Sequence, residues 1–229
     1  MRHIIHILTF FVFISCSNNS RRKGNDIETN SKNEIVEKIV VKIDTAKIDR
    51  NFNELKGWLN FYEPYFIRLE NFKFVEQKDL PNITATVDTF NLSNDIYKPY
   101  YKYSTDSNKI LDLISYNLRI EKNDQNELVS FGGEVDSEVS IKDLENKLWR
   151  RLLFVGSFYI IEDGFWINNN QLLIVGEYKD TDNNKFKPLI WFVDLKAKII
   201  QTFEYQHYID NMNCNYLENV RYRDIKMTE

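Results

Sequence analysis

The chain has 229 residues, 14% of them aromatic and 28% charged, with 30 Lys and Arg against 34 Asp and Glu for a formal net charge of −4. So mild an acidic balance, with Arg21-Arg22-Lys23 as the one basic run, lacks the electrostatic footprint of a nucleic-acid binder. Only three alanines occur, Ala46, Ala85 and Ala197, and Ala is the best helix former, which argues against an all-helical body.

Arg2 precedes an apolar run from Ile4 to Ile14. That run is too short for a bilayer, which needs about 20 residues, but it has the size of a signal-peptide core. It ends in Phe13-Ile14-Ser15-Cys16, which resembles the lipobox of bacterial lipoproteins, with Phe13 in place of the usual Leu. The resemblance implies a signal peptide over residues 1–15 and a lipidated Cys16 as the first mature residue. Lipid chains there make the membrane a partner without a spanning helix, because each buried CH₂ contributes about 0.8 kcal/mol. Ser17-Asn18-Asn19 follows, with no Asp after the cysteine, and similarity to Gram-negative sorting rules then implies the outer membrane. Loss of Arg2 with the signal peptide leaves 29 Lys and Arg against 34 Asp and Glu, a net of −5. With Cys16 acylated, Cys214 has no partner within the chain, and no intramolecular disulfide is expected.

Residues 16–50 read as the lipidated N-terminus and a flexible tether, since residues 17–33 are polar with almost nothing apolar to bury. Arg21-Arg22-Lys23 lies close enough to the anchor to meet anionic head groups. Ile35 to Ile43 fits a short helix or a strand equally well. Asp44-Thr45-Ala46 resembles the Asp-Thr-small motif that some Gram-negative bacteria O-glycosylate, which implies a glycan on Thr45.

Residues 51–229 read as a mostly β globular domain. Phe52, Leu55, Leu59 and Tyr62 fall at helical spacing, Asn51 and Glu54 form a capping-box-like start, and Pro64 ends the helix. Beyond about Phe66, short runs of Val, Ile, Phe, Tyr and Trp punctuated by Asn, Asp and Gly predict strands and hairpins. The predicted strand cores are Leu111–Ile120, Leu128–Phe131, Glu138–Lys142, Trp149–Val155, Gly164–Ile167, Gln171–Tyr178, Leu189–Asp194 and Ile199–Tyr205.

The chain also aligns with itself. Val139 to Lys147 matches Ile190 to Lys198, which places Asp143-Leu144 on Asp194-Leu195, and Tyr103 to Leu111 matches Trp166 to Leu173. An apolar strand ending in Asp-Leu before a polar turn resembles a blade of the WD40-like periplasmic propellers. A propeller needs at least four blades of about 40–50 residues, which the mature chain cannot hold beside its tether. The expected fold class is therefore mainly β: an antiparallel β-sheet domain with two propeller-blade-like repeats and one N-terminal helix against the sheet. Asp143 and Asp194 are expected to close their turns by accepting backbone N–H bonds.

Catalytic signatures are sparse. His207 is the one histidine after the signal peptide, so a multi-histidine zinc site is excluded, and the seven glycines form no phosphate-binding or nucleophile-elbow motif. Glu134, Asp136 and Glu138 alternate, and on an extended strand they would share one face. Three such carboxylates would bind Ca²⁺ or act as a hydrolytic pair, or form a solvated edge. Asp180-Thr181-Asp182 starts like a calcium loop, but Lys185 replaces its glycine and Trp191 its bidentate Glu, so it reads as a hairpin turn. Tyr97, Tyr100, Tyr101 and Tyr103 would complete sheet packing or stack on sugar rings. These features support a membrane-anchored, non-catalytic binding or protein-interaction module of the cell envelope with a protein or glycan partner. The alternatives are a carboxylate-dependent glycan-directed hydrolase and an immunity-type lipoprotein that neutralises a toxin.

Overall fold

The computed structural model describes residues 53–210 and 215–228. The expected signal peptide, Cys16, the expected tether with Thr45, the helix start at Asn51 and Phe52, and Cys214 lie outside the described residues.

Helix α1 spans Asn53–Phe61. Leu55, Trp58 and Tyr62 recur at three- and four-residue spacing and are all buried, which gives the helix one apolar stripe. Pro64 lies in the 3₁₀ turn Glu63–Tyr65, and Phe66 leaves that turn in a left-handed conformation. The strands are β1 (Phe72–Asp79), β2 (Thr84–Thr86), β3 (Lys102–Tyr103), β4 (Lys109–Asp112), β5 (Ile120–Lys122), β6 (Leu128–Ser130) and β7 (Ser137–Asp143). They continue with β8 (Leu148–Val155), β9 (Tyr159–Asn168), β10 (Gln171–Asp180), β11 (Lys185–Asp194), β12 (Ile199–Tyr205), β13 (Ile209–Asp210) and β14 (Lys226–Met227). No helix among the described residues is long and apolar enough to cross a membrane.

The domain is mainly β with few helices, as the residue pattern predicts. Two antiparallel meanders dominate: β3-β4-β7-β8 with β2 on its edge, and β9-β10-β11-β12 with β1 on its edge. A small third sheet joins β5, β6 and β14, and the described sheets form no closed propeller. One predicted strand is corrected, because Leu111–Ile120 divides into β4 and β5. Asp112 accepts the N–H groups of Ile114 (3.1 Å) and Ser115 (2.9 Å), which turns the chain out of the strand. Its other oxygen pairs with Lys142 at 2.8 Å.

The aligned segments occupy equivalent places in the two meanders. Asp143 pairs across its hairpin with Leu148 and Asp194 with Ile199. The turns end in left-handed Lys147 (φ 52) and Lys198 (φ 57). Leu144 N–H bonds the Asn108 carbonyl at 2.9 Å and Leu195 N–H bonds that of Asn170 at 2.8 Å, so each turn is tied to the neighbouring hairpin. Val87 and Leu80 donate to the carbonyls of Lys147 and Lys198, which seats β2 and β1 alike. The β10–β11 turn is of the same kind, with Asn183 N–H donating to Asp180 and Asn184 left-handed; Asp180 closes a hairpin.

The principal core lies between the meanders, where Leu111, Val139, Ile141 and Leu152 meet Ile161, Leu172, Ile174, Trp191 and Val193. Alternate residues of the second meander, Leu173, Val175, Ile190 and Phe192, are buried on its other face, as the period of two requires. Aromatic rings fill that side, with Trp58 edge-on to Tyr62 at 5.3 Å and Phe72 edge-on to Tyr205 at 5.3 Å. A satellite core holds Tyr100 and Tyr101 with Ile110, Ile114, Ile120, Tyr222 and Ile225. The tyrosine cluster thus mainly completes packing, while Tyr103 is 38% exposed.

Asp194 accepts N–H bonds from Lys196 (2.9 Å) and Ala197 (2.8 Å) and an amide bond from Gln171 (2.7 Å). Partial burial opposes its ionisation, but these donors outweigh it and hold the carboxyl below its ordinary 3.8. Asp194→Ala should cost about 1 kcal/mol in urea unfolding at neutral pH. A depressed carboxyl contributes above its unfolded value and loses that contribution as pH falls through its folded value. The deficit of the variant should therefore shrink as the pH is taken below 3.8.

Candidate functional site

The pairing of strands β9 and β10 slips twice, at Ile167 near the hairpin and again in mid-strand. Val175 lies opposite Asp163 and Gly176 opposite Ile161, which leaves Glu162 as the extra residue of a β-bulge. Bulges re-aim side chains and bend their strand. A Cβ at position 176 would lie 2.0 Å from the Ile160 carbonyl oxygen, so the close approach requires glycine. The bulge turns Glu162 under α1, where its carboxyl accepts the Trp58 indole N–H at 2.8 Å and the Tyr62 hydroxyl at 2.5 Å.

Glu162 is 3% exposed and Glu177, one residue beyond Gly176, is 4% exposed. Lys179 Nζ stands 3.6 Å from Glu177 Oε1, and Glu177 Oε2 has no hydrogen-bond partner among the described residues. Burial, reinforced by the charge of Glu177, pushes Glu162 up to about 8 against the two donors from α1. Burial also raises Glu177, with Lys179 opposing. Burial and the neighbouring carboxylate thus both favour the protonated form of Glu162.

Glu162 and Glu177 both line a cleft of about 720 Å³, a size typical of small-ligand sites. Its floor is Tyr159, Ile160 and Ile161 with Glu162, Glu177 and Lys179. Leu113, Asn117 and Leu118 after β4, with Glu134, Val135 and Ser137 before and at the start of β7, form one wall. Asn117 holds these loops together by accepting the Glu138 N–H at 2.7 Å and donating to the Glu138 and Leu113 carbonyls. Gly133 permits their contact, because a Cβ there would meet the Asn117 carbonyl oxygen at 1.8 Å. The other wall is the C-terminal segment, including Tyr216, Leu217, Glu218 and Met227. Asp163 anchors that segment, accepting from Tyr216 at 3.2 Å and standing 3.6 Å from Arg221 and 3.4 Å from Lys102.

Of the carboxylates singled out in the sequence, Glu134 lines this cleft. Strand β7 starts at Ser137, so Glu134 and Asp136 precede it and the expected common strand face does not form. Glu138 is buried in an ion pair with Arg151 at 2.6 Å. No group of three or more His, Cys, Asp or Glu suited to a metal occurs among the described residues. His207 is exposed beside the ring of Tyr205. The pattern readings missed Glu162, Glu177 and Lys179. Their signal was Gly176 inside an otherwise apolar strand, followed at once by a carboxylate. In comparisons with known proteins, the chain matches no family model, no curated protein and no solved structure.

A carboxyl raised by folding stabilises the native state at low pH and loses that contribution as pH rises through its folded value. Glu162 should thus make the protein progressively less stable from its unfolded value of 4.5 up to about 8, by a few kcal/mol in total. Urea unfolding across that range checks this, and Glu162→Gln should flatten the profile. Gly176→Ala should destabilise by about 1–3 kcal/mol, since the bulge cannot hold a Cβ without moving the backbone.

Proposed function

We propose that this chain is a lipid-anchored binding module of the cell envelope, held at the outer membrane through Cys16, which takes its partner or ligand in the acidic cleft. The observation that carries this reading is the cleft itself, a hollow of about 720 Å³ with two buried carboxyls on its floor and an apolar rim that includes Val135 (77% exposed) and Met227 (42% exposed). Exposed apolar side chains around a polar centre suit recognition. The lipobox-like Phe13-Ile14-Ser15-Cys16 and the polar stretch after it support the anchor and tether. The paired Asp-closed hairpins support two propeller-blade-like repeats as the scaffold.

A second reading, a carboxylate-dependent glycan hydrolase, is favoured by one feature: two buried carboxyls, Glu162 and Glu177, both raised by burial and both lining the cleft, where cleavage of a glycosidic bond uses a carboxyl pair. Both Glu162 oxygens already accept bonds from α1, which favours holding a ligand over transferring a proton.

Pull-down from detergent-solubilised membranes tests the first reading. The native protein should recover a stoichiometric partner. Cys16→Ala should leave the membrane fraction yet still bind, and Val135→Trp, which fills the mouth of the cleft, should lose the partner. Retention by Val135→Trp would place binding elsewhere. Release of reducing sugar from envelope glycans, abolished by Glu162→Gln, would favour the hydrolase.

A further inference from the structure

The cleft is unbalanced in charge. With Glu162 raised towards its neutral form, Glu134, Glu177 and Glu218 remain as acidic lining residues, against Lys179 as the one basic lining residue. An acidic lining is common on a solvated surface, but Glu177 is different. It is 4% exposed, it lines the cleft, and its Oε2 is left without a hydrogen-bond partner among the described residues. A buried carboxylate oxygen with no donor is costly, and in nearly all folded proteins such an atom is satisfied by something. Lys179 lies 3.6 Å from the other oxygen, and its side chain is 41% exposed, so the resident cation sits at the edge of the pocket.

The missing group is a donor, and the surrounding charge favours a cationic one. A metal ion fits poorly, since no group of three or more ligating side chains occurs among the described residues. An ammonium or guanidinium on an aliphatic stem fits better, because Val135, Leu217 and Met227 give the stem apolar surface while the head reaches the floor. We propose that the cleft binds an alkylammonium or guanidinium group, with Glu177 Oε2 accepting its N–H and the apolar rim covering its stem. The proposal rests on the cleft being the binding site and adds the chemistry of what enters it. Such a group comes either from a lysine or arginine of a protein partner or from a free polyamine.

Calorimetric titration of the full-length protein in detergent decides this, with N-acetyl-lysine methylamide, its uncharged norleucine analogue and spermidine as probes. A cationic probe should bind at least tenfold more tightly than the norleucine analogue, and Glu177→Gln should remove that difference. Lys179→Met, which withdraws the resident cation, should tighten cation binding severalfold, a gain that a misfolded variant could not show. Binding of the lysine probe assigns the group to a protein side chain, and binding of spermidine alone assigns it to a polyamine. Equal binding of the norleucine analogue, or unchanged cation binding in Glu177→Gln, overturns the proposal. If Val135→Trp loses its partner in the pull-down while Glu177→Gln keeps it, the cleft remains the binding site and only the cationic chemistry fails.

Discussion

Placing a carboxyl beneath a helix is costly unless donors await it, and burial of Glu162 meets that condition through α1. Trp58 and Tyr62 present an indole N–H and a hydroxyl from the same helical stripe that packs their rings on the sheet. One interaction therefore fixes the helix, keeps the bulge in β9 and sets the floor of the cleft. It depends in turn on Gly176, since a side chain there would strike the opposite strand. Burial and the charge of Glu177 disfavour the ionised form of Glu162, and the two donors offset that only in part.

The two meanders are stabilised by the same local device. A strand ends at Asp, its carboxylate accepts the N–H groups of the next turn, and a left-handed residue returns the chain to the partner strand. Lysine occupies the left-handed position in two of these turns and Asn184 in the third. A non-glycine residue there carries a backbone penalty, and the bonds accepted by the aspartate offset it. Because each of the two aligned turns also donates an N–H to the neighbouring hairpin, the device orders four strands at once. The apolar core between the meanders adds to this, each fully buried Leu, Ile or Val contributing about 1.5–3 kcal/mol.

Much of this was legible in the residues. Alternating apolar runs between Asn, Asp and Gly located the hairpins, and self-comparison found the two equivalent turns, because turn chemistry acts within a few residues. The short helix was legible from Leu55, Tyr62 and Pro64. The break after Asp112 was not, because Leu111 to Ile120 is an apolar run that local bonds to a single side chain interrupt. The alternation of Glu134, Asp136 and Glu138 was a true sequence pattern, but it depended on a strand that starts only at Ser137.

The sequence by itself determined the β class and the turns, since each follows from residue type and short-range spacing. Tertiary structure alone decided which carboxyls matter. Glu162 and Glu177 are 15 positions apart and unremarkable in the string, and they became a buried pair only through a one-residue slip in strand pairing and a helix from the other end of the domain. Burial and the approach of like charges are properties of the folded arrangement, and no local pattern encodes them.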